Sequence, residues 1–305
     1  MIPEDGTVAV LKPAGMSSAQ AVSFVKRKLG IKKAGHCGTL DPGASGVLKV
    51  CFGKATKLSD FLMDSKKTYI CEFTFGIETD TLDSYGSIIR EDKKCDVSLD
   101  NVRDILHCFI GKISQIPPVY SAIKRGGVPL YKSARKGIDV QAEARDVEVY
   151  SIDILKAADL SFLLRIECSK GTYITALCRD MASLMGTCGY VSFLHRAYAS
   201  GSSAEECVSL EEISEKTVKD DYSFIKSLDE ELAVLPRVEL DDYLFHIVTT
   251  GTPVDLKRTG EINSLDFSAA NAVYCCGKLI GLGIVRENSL VIKPMLYKEV
   301  ERGCA

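Results

Sequence analysis

The sequence predicts an α+β protein with two unequal domains, and three observations lead to this prediction. Strand-like apolar segments alternate with amphipathic segments that have helix-capping residues at their starts. From about residue 235 the pattern changes to short apolar segments interrupted by glycine, which is typical of a small β-barrel. The 305 residues, 46% of them hydrophobic, suffice for a sizeable core without disulfide or metal cross-links. We therefore expect one domain at residues 1–232 and another at 233–305.

The N-terminal part of the larger domain is predicted to begin with a short strand at residues 7–11. Ser17 or Ser18 can cap a following helix that runs to about Leu29, and Gly30 ends it. The pattern then predicts a tightly turned glycine-rich loop, a strand, an amphipathic helix and a second strand at residues 35–46, 47–52, 55–62 and 68–75, respectively.

The rest of the larger domain contains both element types. Two consecutive prolines make residues 116–120 extended, because proline disrupts a helix. Helices are predicted at residues 98–110, 130–136, 173–185, 210–218 and 222–232, of which the second is basic and the last two are acidic. Strands are predicted at residues 144–155, 160–169 and 190–199.

Composition excludes several classes of protein. No stretch approaches the ~18 consecutive apolar residues of a membrane span, and the N-terminus has no secretory signal pattern, so we expect a cytoplasmic protein without a membrane partner. The twelve cysteines include no CxxC pair and do not cluster with the four histidines. We therefore expect reduced, mostly buried thiols and no metal site. No phosphate-binding glycine motif is present either, so nothing in the sequence indicates a bound nucleotide.

Charge is distributed unevenly along the chain. Residues 105–138 carry six lysines and arginines and no acid, whereas residues 205–242 carry thirteen acids. This asymmetry fits one face for a polyanion and another that faces water, but it fits ordinary solvated helix faces equally well. The sequence pI of 5.9 does not indicate a nucleic-acid-binding protein by itself.

The glycine-rich loop at residues 35–46 holds one carboxylate in a restrained position. Asp41 precedes Pro42, which disfavours the helical conformation at Asp41. The neighbouring glycines would let a substrate approach this carboxylate closely. From composition alone, however, an ordinary Asp-Pro turn is the favoured interpretation.

The string of residues around Asp41 changes this weighing. Gly35-His36-Cys37-Gly38-Thr39-Leu40-Asp41-Pro42 closely resembles the active-site loop of the TruB family of tRNA pseudouridine synthases. Further similar motifs follow in the family's order over about residues 6–200: Lys12 to Ser18, Lys67-Thr68-Tyr69, Thr79 to Asp83, Gln115 to Ala122, and Cys168 to Ile174. The C-terminal segment is similar to the family's small RNA-binding PUA barrel.

The resemblance implies a fold, an activity and a partner. The implied fold has a mixed, mostly antiparallel sheet with flanking helices, followed by a PUA-like β-barrel. The implied reaction converts uridine 55 in the T-loop of tRNA to pseudouridine after the base has been flipped out, without a metal or another cofactor. The implied protein is an RNA-binding isomerase that acts on the T-arm as a monomer. A guide-RNA-dependent enzyme fits less well, because the chain has no basic tails.

The resemblance also implies roles for individual residues. Asp41 would be the nucleophile, with its pKa held low by a cationic neighbour. Tyr69 would stack on the uracil, and His36 would contact bases in the opened T-loop. The expected walls of the uracil pocket are Tyr173 and Leu194. Further substrate contacts, several of them to phosphates, are expected from Lys12, Lys124, Lys132, Arg135 and Lys136.

Three departures from the family pattern stand out. Thr175 occupies the position of an arginine that pairs with the catalytic aspartate in the family, and Leu11 stands where the family usually has an acid. A smaller departure is Lys49, which replaces a proline. Arg179 lies one helical turn beyond Thr175, so we hypothesise that Arg179 reaches back to Asp41 as a catalytic residue. The alternative is a tRNA-binding protein in which catalysis is weakened or lost.

Overall fold

The computed structural model describes residues 2–118, 142–259 and 265–297, together with the backbone of residues 124–125 and 128–129. Within these ranges, no helix is both long and apolar enough to span a bilayer. The helices are α1 (Ser18–Leu29), α2 (Ser59–Met63), α3 (Leu99–Leu106), α4 (Ile174–Leu184), α5 (Leu210–Val218), α6 (Leu228–Leu232) and α7 (Phe245–Thr249).

The strands are β1 (Gly6–Lys12), β2 (Ala34–Cys37), β3 (Ser45–Phe52), β4 (Lys67–Phe75), β5 (Ile77–Thr79), β6 (Ile88–Glu91), β7 (Gly111–Gln115), β8 (Lys124–Arg125), β9 (Val128–Pro129), β10 (Arg145–Ala158), β11 (Ser161–Cys168), β12 (Gly189–Ala199), β13 (Ser202–Ser203), β14 (Ile225–Lys226), β15 (Arg237–Leu240), β16 (Val254–Asp255), β17 (Asn271–Cys275), β18 (Lys278–Arg286) and β19 (Ser289–Met295).

One large mixed sheet forms the body of the molecule. Its strand order is β14-β1-β3-β12-β4-β11-β10-β7, with β2 paired to β3 and β13 paired to β12. Strands β3 and β12 pair in parallel, and the other pairs described in this sheet are antiparallel. This arrangement confirms the predicted mixed, mostly antiparallel sheet.

Helices pack on the large sheet because the helices and the sheet each have an apolar face that must be buried. Helix α1 begins with a capping box between Ser17 and Gln20, and its Gly30 C-cap is left-handed, as the sequence predicts. Its buried residues pack with β1, β3 and α5 in one apolar cluster. Helix α4 packs with β4, β11 and β12 in the largest apolar cluster. The two clusters fix the sheet on either side of the β3–β12 contact.

A second sheet follows the first in the chain and packs against it. Its order is β15-β17-β18-β19-β16, and β15 pairs with β17 in parallel. Its own core is a separate apolar cluster. Another cluster joins the two sheets and includes Cys37, Cys51, Leu58, Leu232, Ala272, Tyr274 and Leu282. The glycine-rich loop therefore starts from a strand that contacts the C-terminal sheet.

Several expectations from the sequence need correction. The helix predicted at residues 222–232 is wrong over its first half, because β14 pairs there with β1 and only α6 is helical. The predicted loop at residues 35–46 includes β2, which the glycines concealed. The β5–β6 hairpin and β7 were not predicted. The predicted basic helix at residues 130–136 lies outside the described residues.

Candidate active site

The loop that carries Asp41 connects β2 to β3 and is attached to the start of α1. The Ser18 hydroxyl accepts a hydrogen bond from the Leu40 amide and donates one to the Leu40 carbonyl, both at 2.9 Å. The Gly15 amide donates to the Pro42 carbonyl at 2.8 Å. These bonds hold the backbone on both sides of Asp41, so the capped helix positions the carboxylate.

Lys12 holds the same loop through hydrogen bonds from its buried ammonium group. Its side chain is fully buried, and its ammonium donates to the carbonyls of Pro13 and Met16 and, at 3.5 Å, to that of Pro42. Burial lowers the pKa of Lys12 to about 8, although the Asp41 charge acts in the opposite direction. The expected substrate contact is corrected: Lys12 is a buried support of the loop.

Arg196, on β12, holds the other side of the loop. It is 2% exposed, and its guanidinium donates to the carbonyls of Val47 at 2.9 Å, Gly38 at 3.1 Å and Thr39 at 3.3 Å. It also hydrogen-bonds the Tyr69 side chain, which the β4–β12 register places opposite it. Arg196 therefore brings a buried positive charge into contact with both the loop and Tyr69.

Asp41 lies open to a cleft whose walls surround its carboxyl group. Dehydration by these walls, together with the negative charge of Asp83, raises the pKa of Asp41 to about 6, while Lys12 and Arg196 oppose the shift. The expectation that a cation holds this pKa low is therefore wrong. At pH 7 a carboxyl group with this pKa is still about 90% ionised, so it can act as a nucleophile.

Two cavities meet at Asp41. One of about 230 Å³ is lined by Asp41, Tyr69, Tyr173, Leu194, Arg196 and other residues. The second, of about 210 Å³, is lined by Asp41, Asp83, Tyr85, Thr175, Leu194 and others. The sequence-predicted residues Asp41, Tyr69, Tyr173 and Leu194 thus share one cavity, whose mixed aromatic, aliphatic and charged walls suit a flat polar ring.

Tyr69 and Tyr173 are held by different parts of the sheet. Tyr69 is 8% exposed, and burial raises the pKa of its hydroxyl. Tyr173 is half-buried at the start of α4, where its amide and carbonyl both bond the side chain of Gln115 at the end of β7. The Gln115 side chain is fully buried, so it fixes the backbone at the cleft wall.

Arg179 does not reach Asp41, which corrects the compensation hypothesis. Its guanidinium pairs with Asp180 at 2.7 Å and donates to the Ile116 carbonyl at 2.9 Å. The charges that shift the Asp41 pKa are those of Asp83, Lys12 and Arg196. No local pattern in the sequence points to Arg196, because the pairing of β12 with β3 and β4 brings it to the loop.

The remaining predicted substrate contacts fall outside the two cavities or outside the described side chains. His36 lies on β2, and its Nδ1 is buried without a hydrogen-bond partner in the described structure. Burial lowers the pKa of His36, and the positive charge of Arg196 lowers it further. Lys124 lies on β8, where only the backbone is described. Arg135, Lys132 and Lys136 lie outside the described residues.

A metal-binding arrangement occurs elsewhere in the described structure. Asp242, Cys275 and Cys276 offer three ligand atoms within 4.8 Å of one another, in the C-terminal sheet. Neither cavity at Asp41 is lined by this group. The side chains that line the two cavities at Asp41 include carboxylate, phenol and cationic groups.

Comparison with known proteins agrees with this geometry. The family model described as "TruB family pseudouridylate synthase (N terminal domain)" matches residues 26–174. The protein named "tRNA pseudouridine synthase B" from Clostridium tetani is 38% identical over 295 residues, covering 96% of this chain and 99% of that protein. Its namesake from Caldanaerobacter subterraneus is 42% identical over 250 residues, covering 81% of this chain and 85% of that protein.

A solved structure shows the same fold. The structure titled "Crystal Structure of a Cbf5-Nop10-Gar1 Complex" contains a chain that superposes with a TM-score of 0.73 at 22% identity. The match covers 96% of this chain and 85% of that one. The likeness extends over both sheets, which confirms the predicted combination of a mixed central sheet with a small C-terminal PUA-like unit.

Proposed function

Because this chain belongs to the TruB family of pseudouridylate synthases, we propose that it converts uridine 55 in the T-loop of tRNA to pseudouridine, with Asp41 as the nucleophile. The full-length similarity to proteins named tRNA pseudouridine synthase B supports an enzyme that modifies tRNA. The observation that carries the residue assignment is the position of Asp41, which lies in a cavity with Tyr69 and has the charges of Lys12 and Arg196 nearby.

The reaction is an isomerisation and needs no net reagent. The N1–C1′ bond of uridine breaks, the C5–C1′ bond forms, and the hydrogen on C5 leaves while N1 gains one. The Asp41 carboxylate supplies the covalent catalysis that divides this exchange into easier steps. Arg196 offsets the dehydration of that carboxylate and hydrogen-bonds Tyr69, so one cation positions both groups.

The cavity selects a base that has left the helical stack. Its volume of about 230 Å³ is small compared with the ~300–1,000 Å³ of typical ligand sites, and a single pyrimidine is a correspondingly small ligand. Tyr69, Tyr173 and Leu194 offer apolar faces on which the flipped uracil can stack. Unstacking costs a few kcal/mol, which these contacts offset.

Thr175 does not by itself argue for lost catalysis. Arg196 and Lys12 partly supply the positive charge that the family's arginine would bring. Both residues hydrogen-bond the backbone of the loop, and both lower the pKa of Asp41. Asp41 remains ionised near neutral pH. The alternative of a tRNA-binding protein without activity therefore has no support in the described site.

RNA contacts outside the cavity complete the proposal. We assign His36 to bases of the opened T-loop, and Lys124 and Arg135 to phosphates, because these residues lie in the family motifs. Residues 233–305, which include the second sheet, would form the RNA-binding unit beside the catalytic domain of residues 1–232. We further propose that the enzyme works as a monomer in the cytoplasm, which size-exclusion chromatography coupled to light scattering and cell fractionation would check.

The experiment that tests the function uses tRNA transcripts labelled with tritium at uridine C5, since isomerisation releases this label. The reduced full-length protein should release one label per tRNA, and a transcript with cytidine at position 55 should lose this release. Asp41→Asn should lower turnover by at least ~10³-fold, because the carboxylate is the nucleophile. The exposed Asp104→Asn is the matched control and should be fully active. Undiminished release by Asp41→Asn would overturn the assignment.

A further inference from the structure

Two cysteines lie in contact directly behind the loop that carries Asp41. The Sγ atoms of Cys37 on β2 and Cys51 on β3 are 3.1 Å apart, and both residues are 1% exposed. Both are free thiols. No step of the proposed reaction uses them, so this close pair needs a separate explanation.

The strand register places a cation on the same face as the two thiols. Cys37 is directly opposite Lys49, and Cys51 is two residues further along β3, so the three side chains share one face of the sheet. Lys49, which replaces the family's proline, is 1% exposed and pairs with Glu231 of α6 at 2.9 Å. The thiol pair therefore lies beside a buried ion pair rather than in a purely apolar core.

These surroundings act differently on the two thiols, which share a hydrogen bond in which either sulfur can donate. That hydrogen bond lowers the pKa of Cys37, and the Lys49 ammonium lowers it further, while burial and the negative charges of Glu231 and Asp60 oppose the shift. The pKa of Cys51 is raised, first by its hydrogen bond with Cys37 and then by its burial. A thiolate is the reactive form of cysteine, so Cys37 would react first and Cys51 second.

The position of Cys37 gives a small oxidant a route to the pair. Cys37 is followed by Gly38, which lines the 230 Å³ cavity at Asp41. The thiol therefore lies one residue behind the wall of the open cleft. The Cys37 side chain is 1% exposed and does not itself line the cavity, so a peroxide reaches the thiol through a local opening of the loop at Gly38, and a bulky disulfide reagent would need a larger opening.

We propose that Cys37 and Cys51 are a redox-sensitive dithiol that a small peroxide converts to a disulfide, and that the disulfide form is catalytically impaired. The Cys37 thiolate attacks a peroxide oxygen, which breaks the O–O bond and yields a sulfenic acid and hydroxide. The Cys51 thiol then attacks that sulfur, the S–S bond forms, and water leaves. Two electrons pass from the two sulfurs to the peroxide. The claim of impairment rests on the proposed function, whereas the claim of disulfide formation does not.

Closing the bond must move the active-site loop. The sulfurs have to approach by about 1 Å, since a disulfide is ~2.05 Å long. Diagonal neighbours on paired strands have Cα atoms ~7–8 Å apart, at or beyond the upper limit for a disulfide, so backbone must shift. β3 is fixed between β1 and β12, whereas β2 pairs only with β3 in the described sheet. The shift therefore falls on β2 and on Gly38, whose carbonyl binds Arg196.

The test combines a chemical and a catalytic measurement on the full-length protein, in a background in which the exposed Cys108 and Cys276 are changed to serine. After treatment with hydrogen peroxide and alkylation of the remaining thiols, peptide mass mapping should show a Cys37–Cys51 cross-link. Tritium release should fall roughly 10- to 100-fold, because a displacement of ~1 Å costs that much, and a dithiol reductant should restore it.

The control variants are Cys51→Ala and Cys51→Ser, two substitutions of different polarity at the same buried site. Both should keep basal activity, form no cross-link and resist inactivation by peroxide, while Cys37 is trapped as a sulfenic acid by dimedone. Full alkylation of Cys37 and Cys51 after a dose that oxidises Cys108 in the parent protein would overturn the dithiol. A cross-link with undiminished turnover, or equal inactivation of the Cys51 variants, would overturn the impairment. If the reduced protein releases no tritium at all, the proposed function fails, and the mass map still decides the dithiol.

Discussion

Thr175→Arg should move the acid limb of the pH–rate profile of this enzyme. Thr175 is buried and lines both cavities that meet at Asp41. An arginine there can extend into the 210 Å³ cavity between Asp41 and Asp83. It would bring a positive charge to the carboxylate whose pKa is raised by dehydration in the cleft and by Asp83.

The size of the effect follows from the present pKa of Asp41, which is about 6. An opposite charge at ~4–6 Å lowers a carboxyl pKa by ~1–3. At pH 5 the ionised fraction of Asp41 would therefore rise from about 9% to between about half and nearly all. At pH 7.5 the carboxyl group is about 97% ionised already, so almost no gain is available there. We expect kcat/KM to rise roughly 5- to 10-fold at pH 5 and to stay constant at pH 7.5.

The assay is tritium release under kcat/KM conditions between pH 4.5 and 8, with circular dichroism at each pH to establish that the variant is folded. Thr175→Gln is the matched control, because it fills the cavity without charge and should leave the acid limb near pH 6. An unmoved acid limb in Thr175→Arg would refute the reasoning that dehydration and Asp83 set the Asp41 pKa. So would the same displacement in Thr175→Gln.

Three further outcomes follow from buried charges. Arg196→Gln should lower the free energy of unfolding by ~2–5 kcal/mol in urea titrations, because it leaves loop carbonyls unpaired. The same substitution should reduce turnover. An unchanged urea midpoint would contradict this prediction. Glu231→Leu should lower the free energy of unfolding by ~3–5 kcal/mol, because it leaves the Lys49 ammonium buried without a partner. The double variant Lys49→Met/Glu231→Leu should recover most of that loss. Equal stability of the single and double variants would exclude this explanation. Above pH 8, kcat/KM should fall as Lys12 loses its proton. A rate profile that stays flat to pH 9.5 would contradict the role of Lys12. Stability changes in the opposite direction: the pKa of Lys12 is lowered in the folded protein, so the unfolded chain binds more protons at this group and the group adds stability as pH rises.

Local signals explain which elements the sequence predicts well. Helix α1 was predicted from a serine cap and a terminal glycine, and the structure shows both the capping box and the left-handed Gly30. Such features depend on residues that are neighbours in the sequence, so the sequence alone is enough to predict them. Residues 222–227 have a helical pattern too, but Ile225 and Lys226 pair with β1, and this long-range pairing overrides the local preference.

The site shows the same division. Asp41, Tyr69, Tyr173 and Leu194 belong to recognisable motifs, and the fold brings them to one cavity. Helical spacing from Thr175 points to Arg179 as the cation, because such spacing is easy to count. Arg196 comes close enough to act on the charge of Asp41 only through the pairing of β12 with β4 and β3, and no spacing in the sequence expresses that register.

The parallel contact between β3 and β12 has a consequence for redesign of the enzyme. Gly46 is opposite Arg196 in this contact, with a φ of 112°, and a Cβ there would lie 2.2 Å from the Arg196 carbonyl oxygen. The backbones of β3 and β12 therefore lie in contact where the loop ends, and any side chain at position 46 would force them apart. A loop transplanted into another protein would keep its hydrogen bonds to Arg196 only if the glycine at position 46 and the arginine at position 196 were transferred together.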